Sequence, residues 1–265
     1  MLSVVHLKRE NKVISCDFNG AALYILNMNN EKIEKFEHYL ITEPSGLAVG
    51  RNDELFVSEC LLNNILVFDS NMNFLKQFPI QEKLREALKM QIDLIDKKNL
   101  LYISHKNHNK ITVWNSQRGN LVNSIKLDAP SSMEFNDEFL YVVSYTEWDS
   151  VNNFGKLINI RSGSNCIFVL KKSNYEMVNK IKLDNWLQPF GLFLNKCSNI
   201  ITTVYEMDDN NMISSDRFLY SIDQNGILLH KIQFEHMRGT RDLIFFKNKM
   251  IRCYKSELKF IVFDY

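Results

Sequence analysis

The sequence predicts an all-β fold in which one group of strands recurs about six times along the chain. First, short apolar runs with a period of two occur throughout, such as ELFVSE, NILVFD, LLYISH and FLYVVSY, and Asn, Asp and Gly bound them. Second, these runs recur as a group with a spacing of roughly forty to sixty residues, in the range of propeller blades. Third, the 265 residues include 18 Phe and 10 Tyr, which favour strands over helices.

The clearest copy of the repeated unit covers residues 44–78. It begins with Pro-x-Gly and an apolar strand, and a second strand then ends at an acidic residue before an Asn-containing loop. A third strand closes on Phe68 and Asp69, and an outer strand follows. Five less complete copies cover residues 1 to about 38, residues 90–127, a stretch from Pro130, a stretch from Pro189, and residues 240–265, the last without an obvious outer strand.

This arrangement resembles the NHL-repeat family, whose pattern residues 44–78 follow closely and the other copies follow in part. The resemblance implies an all-β, six-bladed β-propeller with mostly four-stranded antiparallel blades, formed by residues 1–265 as a single domain. Sugar-lactonase and strictosidine-synthase-like propellers share this layout and are alternative relatives. A WD-repeat match is weaker because no Gly-His start is present, and a β-sandwich does not repeat its strand quartets.

Two segments need a separate interpretation. Residues 81–89 (QEKLREALK) predict a helix of about two turns in a connection between two copies. Residues 2–7 (LSVVHL) fit either the outer strand of the last blade or the first strand of the first blade, and we favour the first blade. The ring is then expected to be sealed by side-to-side packing of blades rather than by a shared sheet.

Composition and charge argue against several classes of protein. With 32 basic and 31 acidic residues the net charge is +1, which disfavours a large basic surface for nucleic-acid phosphates. The five cysteines show no CxxC spacing and indicate thiols in a reducing compartment. The first residues lack a signal-peptide pattern, and no apolar run approaches the roughly 18 residues that span a bilayer. We therefore expect a cytoplasmic monomer that does not associate with membranes.

The two longest connections predict which face of the propeller binds. They follow Tyr145 and Tyr205, and both join the second to the third strand of adjacent blades. The connections from an outer strand to the next blade emerge on the same face, so loops and connections should meet there. Loops on a rigid scaffold are where binding concentrates, although surface insertions are also tolerated without a function.

Aligning the ends of the second strands gives one set of equivalent positions, occupied by Asp17, Glu59, His105, Tyr145, Tyr205 and Tyr254. Two carboxylates, one imidazole and three phenols suit a peptide or a small polar ligand. The alternative is that each residue only caps its own strand. Near the start of the last copy, Arg238 and Arg241 form a modest basic cluster that could take an anion.

Trp148 lies in the first long loop, and Trp186 lies on the connection that leads into the next blade. Exposed Trp and Tyr dominate interface energetics, so these side chains would anchor a partner. The alternative is that they fold back and cover strand edges. The candidate partner-binding residues are Tyr145, Trp148, Trp186, Tyr205, Tyr254, Glu59, His105, Arg238 and Arg241.

No metal, cofactor or catalytic residue is predicted. In the lactonase-like relatives a metal is held by carboxylates, and Asp17 and Glu59 are the nearest equivalents, without a compelling third ligand. His105 and His108 form a lone HxxH, and the acidic loop at Asp208 and Asp209 lacks the spacing of a calcium loop. We therefore predict a non-enzymatic scaffold that binds a protein or peptide. The alternatives are an RNA-binding NHL propeller, disfavoured by acids on the loop face, and a lactonase-like metal-dependent hydrolase.

Overall fold

The computed structural model describes residues 3–81, 84, 87–93, 98–144, 147–148, 160–161, 164–183, 187–195, 199–207, 213–234, 240–246, 249–254 and 261–264. Nearly all regular structure in them is β-strand, with a 3-10 turn at Lys106–His108. No helix in this part of the chain is long and apolar enough to cross a membrane.

In the described residues, five sheets each contain four antiparallel strands, and the strands follow one another in chain order across the sheet. The first three blades consist of β1 (Val4–Leu7), β2 (Lys12–Asp17), β3 (Ala22–Asn27), β4 (Ile33–Phe36), β5 (Pro44–Val49), β6 (Leu55–Glu59), β7 (Asn64–Phe68), β8 (Phe74–Pro79), β9 (Ala87–Ile92), β10 (Leu100–His105), β11 (Lys110–Asn115) and β12 (Asn120–Lys126).

The remaining strands form two more blades, a small hairpin and a three-stranded sheet. They are β13 (Pro130–Phe135), β14 (Phe139–Ser144), β15 (Glu147–Trp148), β16 (Ile160–Arg161), β17 (Cys166–Lys171), β18 (Met177–Lys182), β19 (Leu187–Leu194), β20 (Ile200–Met207), β21 (Ile213–Ile222), β22 (Leu228–Phe234), β23 (Thr240–Phe246), β24 (Lys249–Tyr254) and β25 (Ile261–Asp264). The fourth blade is β13, β14, β17 and β18, because the hairpin of β15 and β16 is inserted within it.

The prediction of six blades is wrong: the protein is an all-β propeller with five blades of four antiparallel strands. In the described residues the last copy forms only the three-stranded sheet of β23, β24 and β25. Apolar runs identify the inner strands of each copy because those strands are buried. Outer strands such as β4 and β12 are mostly exposed, so the apolar pattern carries little information on whether a copy is complete.

The chain divides into two compact units. Unit 1 contains Met1–His105, Thr112–Ser124 and Gly239–Tyr265, and unit 2 contains Lys106–Ile111 and Ile125–Arg238. Within unit 1, β5 packs against β9, β1 and β2 pack against β5, and β1 lies next to β23. Within unit 2, β13 and β14 pack against β19.

The apolar core of unit 1 lies between neighbouring sheets. Leu23 of the first blade and Leu66 of the second belong to one buried cluster, and Phe56 of the second and Leu101 of the third belong to another. A single twisted sheet of this length cannot cover both of its faces, so burial against the next blade supplies the hydrophobic stabilisation.

The turn between the third and fourth strands is the most regular feature of the repeat. In each four-stranded blade, one residue of this turn has a left-handed φ: Glu31, Met72, Gly119, Tyr175 and Gly226. In the second blade Asp69 opens the turn and accepts hydrogen bonds from the amides of Asn71 and Asn73. The Asn73 side chain also donates to Asp69, and together these bonds lower the pKa of that carboxyl from its ordinary value.

Outer strands also contact the turn of the following blade. The Lys76 Nζ of β8 donates to the carbonyl oxygens of Ser116, at 3.1 Å, and Gln117, at 2.5 Å, in the turn of the third blade. In unit 2 the Asn179 side chain of β18 donates to the carbonyl of Gln224 in the turn of the fifth blade, at 3.3 Å. Inside each unit, these contacts link neighbouring blades at their outer edges.

The interpretation of residues 2–7 is confirmed, because β1 pairs with β2 as the first strand of the first blade. The predicted helix at residues 81–89 is wrong over its last part. Ala87 begins β9 and pairs with His105 of β10. In the sheet, the backbone N–H and C=O groups of this segment have hydrogen-bond partners on β10. An isolated helix of only two turns is marginally stable in water. Leu84, which remains in the connection, is fully buried.

Buried thiols are a further consequence of this packing. Cys16, Cys60 and Cys166 are all buried, and burial raises the pKa of Cys166 to about 11. Since the thiolate is the reactive form, iodoacetamide at pH 8 should modify Cys166 at least about a hundredfold more slowly in the folded chain than in urea. Mass spectrometry of the digested protein measures this ratio. Equal rates in both conditions would contradict the buried position of Cys166.

Candidate functional site

One end of the second blade carries both kinds of connection that the sequence assigns to the binding face. Pro44, Glu59, Asn64 and Pro79 are aligned across the sheet at this end. The connection at residues 37–43 therefore enters beside the turn at residues 60–63 that joins the second to the third strand. We call this end, with the equivalent end of the first blade, the loop face of unit 1.

Glu59 joins the two segments. Its side chain is fully buried, and its carboxylate accepts hydrogen bonds from the Thr42 hydroxyl, the Glu43 amide at 2.6 Å and the Leu62 amide at 2.7 Å. The Cys60 amide adds a bond to the Glu43 carbonyl at 3.0 Å. A buried carboxylate that accepts several bonds is a structural brace, so Glu59 cannot contact a partner directly.

Asn63 fastens the same turn to the next connection. Its carbonyl accepts the Ile80 amide at 2.9 Å, its side-chain oxygen accepts the Leu84 amide at 2.6 Å, and its side-chain nitrogen donates to the Ile80 carbonyl. Its φ of 57° is left-handed, a conformation that Asn tolerates well.

Asn109 repeats this brace within unit 2. It accepts the amides of Leu127 and Ala129 at 2.9 Å each, again with a left-handed φ. The Asn-containing loop noticed in the sequence is thus a backbone brace that holds a turn to the connection after the outer strand.

His105 is the last residue of β10 and is also fully buried. Its Nε2 lies 2.9 Å from the Thr112 hydroxyl, to which the Trp114 indole N–H also donates at 2.9 Å. This arrangement ties the second and third strands of the blade together. Like Glu59, His105 is a buried support at the end of its strand and does not touch a partner.

The other predicted site residues are placed as follows. Tyr254 ends β24, Arg241 lies in β23, and Trp148 lies in β15 opposite Ile160. Tyr205 lies inside β20 opposite Arg217 of β21. The predicted long loop after Tyr205 is therefore shorter than expected, since β20 continues to Met207 and β21 begins at Ile213. Tyr145, Trp186 and Arg238 lie outside the described residues, so their predicted role stays a prediction.

Sequence reasoning missed two adjacent exposed apolar side chains on the loop face of unit 1 and a third in the connection that leads to it. Tyr39 in the entering connection is 82% exposed, and Leu61 and Leu62 in the turn are 64% and 49% exposed. The available signal was the pair of leucines in a turn, where polar residues are expected. We call Leu61 and Leu62 the apolar patch.

Tyr39 stands next to a cluster of aromatic rings. Its ring lies 4.6 Å from that of His38, which stacks between Phe36 and Phe74 at 6.3 and 5.7 Å between centroids. The edge of Phe68 meets the same imidazole at 5.3 Å. His38 Nδ1 also accepts the Leu40 amide at 3.3 Å. Phe68 pairs with Phe74 at the opposite end of β7 and β8 from Asn64 and Pro79, so these contacts hold the start of the connection near that end and not beside Leu61 and Leu62.

Among the described residues, no group of three or more His, Cys, Asp and Glu side chains is arranged to hold a metal ion. Asp17 ends β2 as predicted, and its carboxylate lies over its own turn, close to Gly20.

Comparison with known sequences finds no matching family model and no matching curated protein. Comparison with solved structures does find similar folds. Virginiamycin B lyase from Staphylococcus aureus is similar with a TM-score of 0.63 and 10% identity, over 96% of this chain and 91% of that one. A streptogramin B lyase is similar with a TM-score of 0.64 and 13% identity, over 95% of this chain and 75% of that one.

The Pan2 WD40 domain from Neurospora crassa is similar with a TM-score of 0.63 and 10% identity, over 96% of this chain and 72% of that one. At these identities the similarity shows the fold alone. The chain has a β-propeller fold, and the similar structures include both lyases and a WD40 domain.

Proposed function

We propose that this chain is a non-enzymatic, NHL-like scaffold that recognises a protein or peptide through its loop face. The observation that carries the proposal is the exposure of the adjacent side chains of Leu61 and Leu62 in a turn of that face. Outer strands also expose aliphatic side chains, such as Leu121 and Val122, but there a strand propensity explains them. The backbone of a turn does not require two adjacent leucines, so their presence needs another explanation. Clustered exposed apolar side chains mark interaction sites.

The braces of Glu59 and Asn63 support the same proposal. Binding orders the groups that make contact, and an anchor on a fixed backbone loses less conformational freedom than one on a flexible loop. The aromatic side chains predicted from the sequence, Trp148 and Trp186, are separate candidate anchors for a partner. Buried thiols agree with a reducing, cytoplasmic setting, and we take the working form to be a monomer.

Affinity capture from native lysate tests the proposal, with the wild-type chain and the Trp148→Ala variant compared. We expect Trp148→Ala to abolish capture of the partner and to leave the melting temperature within about 2 °C of wild type. The matched control is Leu121→Ser/Val122→Ser on β12, which removes exposed apolar side chains from an outer strand and should retain capture.

Each other result has a distinct meaning. A lower melting temperature with capture intact would show that Trp148 covers strand edges. Capture that nuclease treatment abolishes would replace the protein partner by RNA. If the wild-type chain captures nothing, the scaffold proposal fails.

A further inference from the structure

The last sheet has an open edge at β25 over the described residues, because β25 pairs with β24 and with no second strand there. In the five four-stranded blades, the third strand pairs with an outer strand as well. The sequence of β25 is that of a third strand, since residues 262–264 (VFD) repeat residues 67–69, which end β7 and open its turn. The outer side of β25 therefore presents backbone N–H and C=O groups of the kind that an outer strand bonds in the other blades.

The composition of β25 also differs from that of the strands that form the outer edges of complete blades. Each of those outer strands contains a lysine, namely Lys35, Lys76, Lys126, Lys180 and Lys231. Lysine on an edge strand discourages pairing with another chain. The sequence of Ile261–Asp264 (IVFD) contains no Lys, Arg or Pro. β25 thus lacks the protection of an exposed edge and resembles a strand that has a neighbour on both sides.

The complete blades show what an outer strand contacts besides its own sheet. The buried side chain of Phe78 lies so close to the next blade's turn that a Cβ atom on Gly119 would be 2.6 Å from it. The buried Ile181 lies in the same way at 2.8 Å from such an atom on Gly226. The blade after the last sheet is the first one, because β1 lies next to β23, and Glu31 has the left-handed φ in its turn. A fourth strand on β25 is therefore expected to place an apolar side chain against this turn.

We propose that β25 accepts a fourth strand from a partner protein, an extended segment that runs antiparallel to Ile261–Asp264 and resembles β8. Its chemistry follows from β8, in which the apolar Phe78 contacts the next turn and Lys76, two residues earlier, donates to carbonyl oxygens of that turn. Main-chain hydrogen bonds supply affinity in this mode of binding, and the side chains supply specificity. This surface goes beyond the proposed function, because it lies on a sheet edge and does not involve the loop face.

A fluorescein-labelled peptide with the sequence of residues 73–80 (NFLKQFPI) tests this inference by fluorescence anisotropy with the purified full-length chain. In β8 the Ile80 amide donates to the Asn63 carbonyl, and antiparallel pairing alternates, so the Phe78 amide faces β7 and the Gln77 amide faces away. We expect saturable binding that becomes at least about tenfold weaker when the Phe78 amide of the peptide is N-methylated. N-methylation at Gln77, the matched control, should leave binding unchanged.

The variant Val262→Pro tests whether the peptide binds at β25. Val262 corresponds to Val67, which pairs with Lys76 of β8 two residues after Ile65 pairs with Phe78, so its amide is expected to face the open edge. The variant should bind the peptide at least about tenfold more weakly, since the ladder loses a donor. Proline is tolerated in an edge strand when the missing N–H faces outwards, so the melting temperature should stay near that of wild type.

Three results would overturn the inference: no binding of the peptide, equal binding of the two methylated peptides, or full binding to Val262→Pro. A dimer in sedimentation experiments that Val262→Pro dissociates would assign the edge to a second copy of the chain and would also reject the partner. The methylated peptides test strand pairing independently of the stability of Val262→Pro. Trp148→Ala should bind the peptide like wild type, so this inference and the proposed function fail separately.

Discussion

Replacing Glu59 by alanine is expected to lower the free energy of unfolding by about 4 kcal/mol. The substitution leaves the Thr42 hydroxyl and the amides of Glu43 and Leu62 without their acceptor. Each of these donors loses a charge-assisted hydrogen bond to a carboxylate that is itself fully buried. Urea unfolding followed by tryptophan fluorescence measures the change.

Two further variants separate the brace from a general charge effect. Glu59→Gln retains one carbonyl oxygen but directs an amide group towards a backbone N–H, so we expect an intermediate loss of about 2 kcal/mol. Glu43→Ala removes a half-buried carboxylate from the same connection and should change stability by less than about 1 kcal/mol. If Glu59→Ala were as stable as Glu43→Ala, the bracing role would be wrong.

Gly119→Ala is the second substitution with a large expected effect, and it should lower the free energy of unfolding by about 3 kcal/mol. Gly119 has a left-handed φ of 68°, and a Cβ atom there would lie 2.6 Å from Cβ and Cγ of Phe78. Those atoms are close to the backbone of a buried residue, so they cannot rotate away. The clash would separate the outer strand of the second blade from the turn of the third. The melting temperature and urea midpoint report the loss.

Gly20→Ala is the matched control. Its new Cβ would meet the Asp17 carboxylate, which is the far end of a flexible side chain. We expect a change below about 1 kcal/mol, because the carboxylate can rotate. An equal loss of stability in both variants would show that the close contact between Gly119 and Phe78 does not hold the second and third blades together.

Several features of this fold could be predicted from local sequence alone. Apolar runs of period two located the inner strands, and four predicted strand ends, at Asp17, Glu59, His105 and Tyr254, are confirmed. These features are readable because a buried strand must alternate side chains and must stop where the backbone turns. The Asn before the third strand was also visible, since Asn tolerates a left-handed φ in such a turn.

Other features depend on which segments meet, and these are not encoded in any single stretch of sequence. The alternation of β23–β25 matches that of complete blades, yet the number of strands in a sheet is decided by pairing. Ala87 lies in a stretch whose sequence predicts a helix, but it forms part of β9 because it pairs with His105 of β10. In each case, tertiary hydrogen bonding outweighs a weak local propensity.

The candidate site shows the same division. The sequence by itself determined which end of each blade carries the connections, because antiparallel strands alternate direction. Only the tertiary structure decided that Glu59 and His105 are buried supports and that Leu61 and Leu62 are exposed. A side chain at a strand end is covered or uncovered by a segment distant in sequence, here the connection of Thr42 and Glu43 above Glu59. Burial is a property of that packing, so local pattern could not assign it.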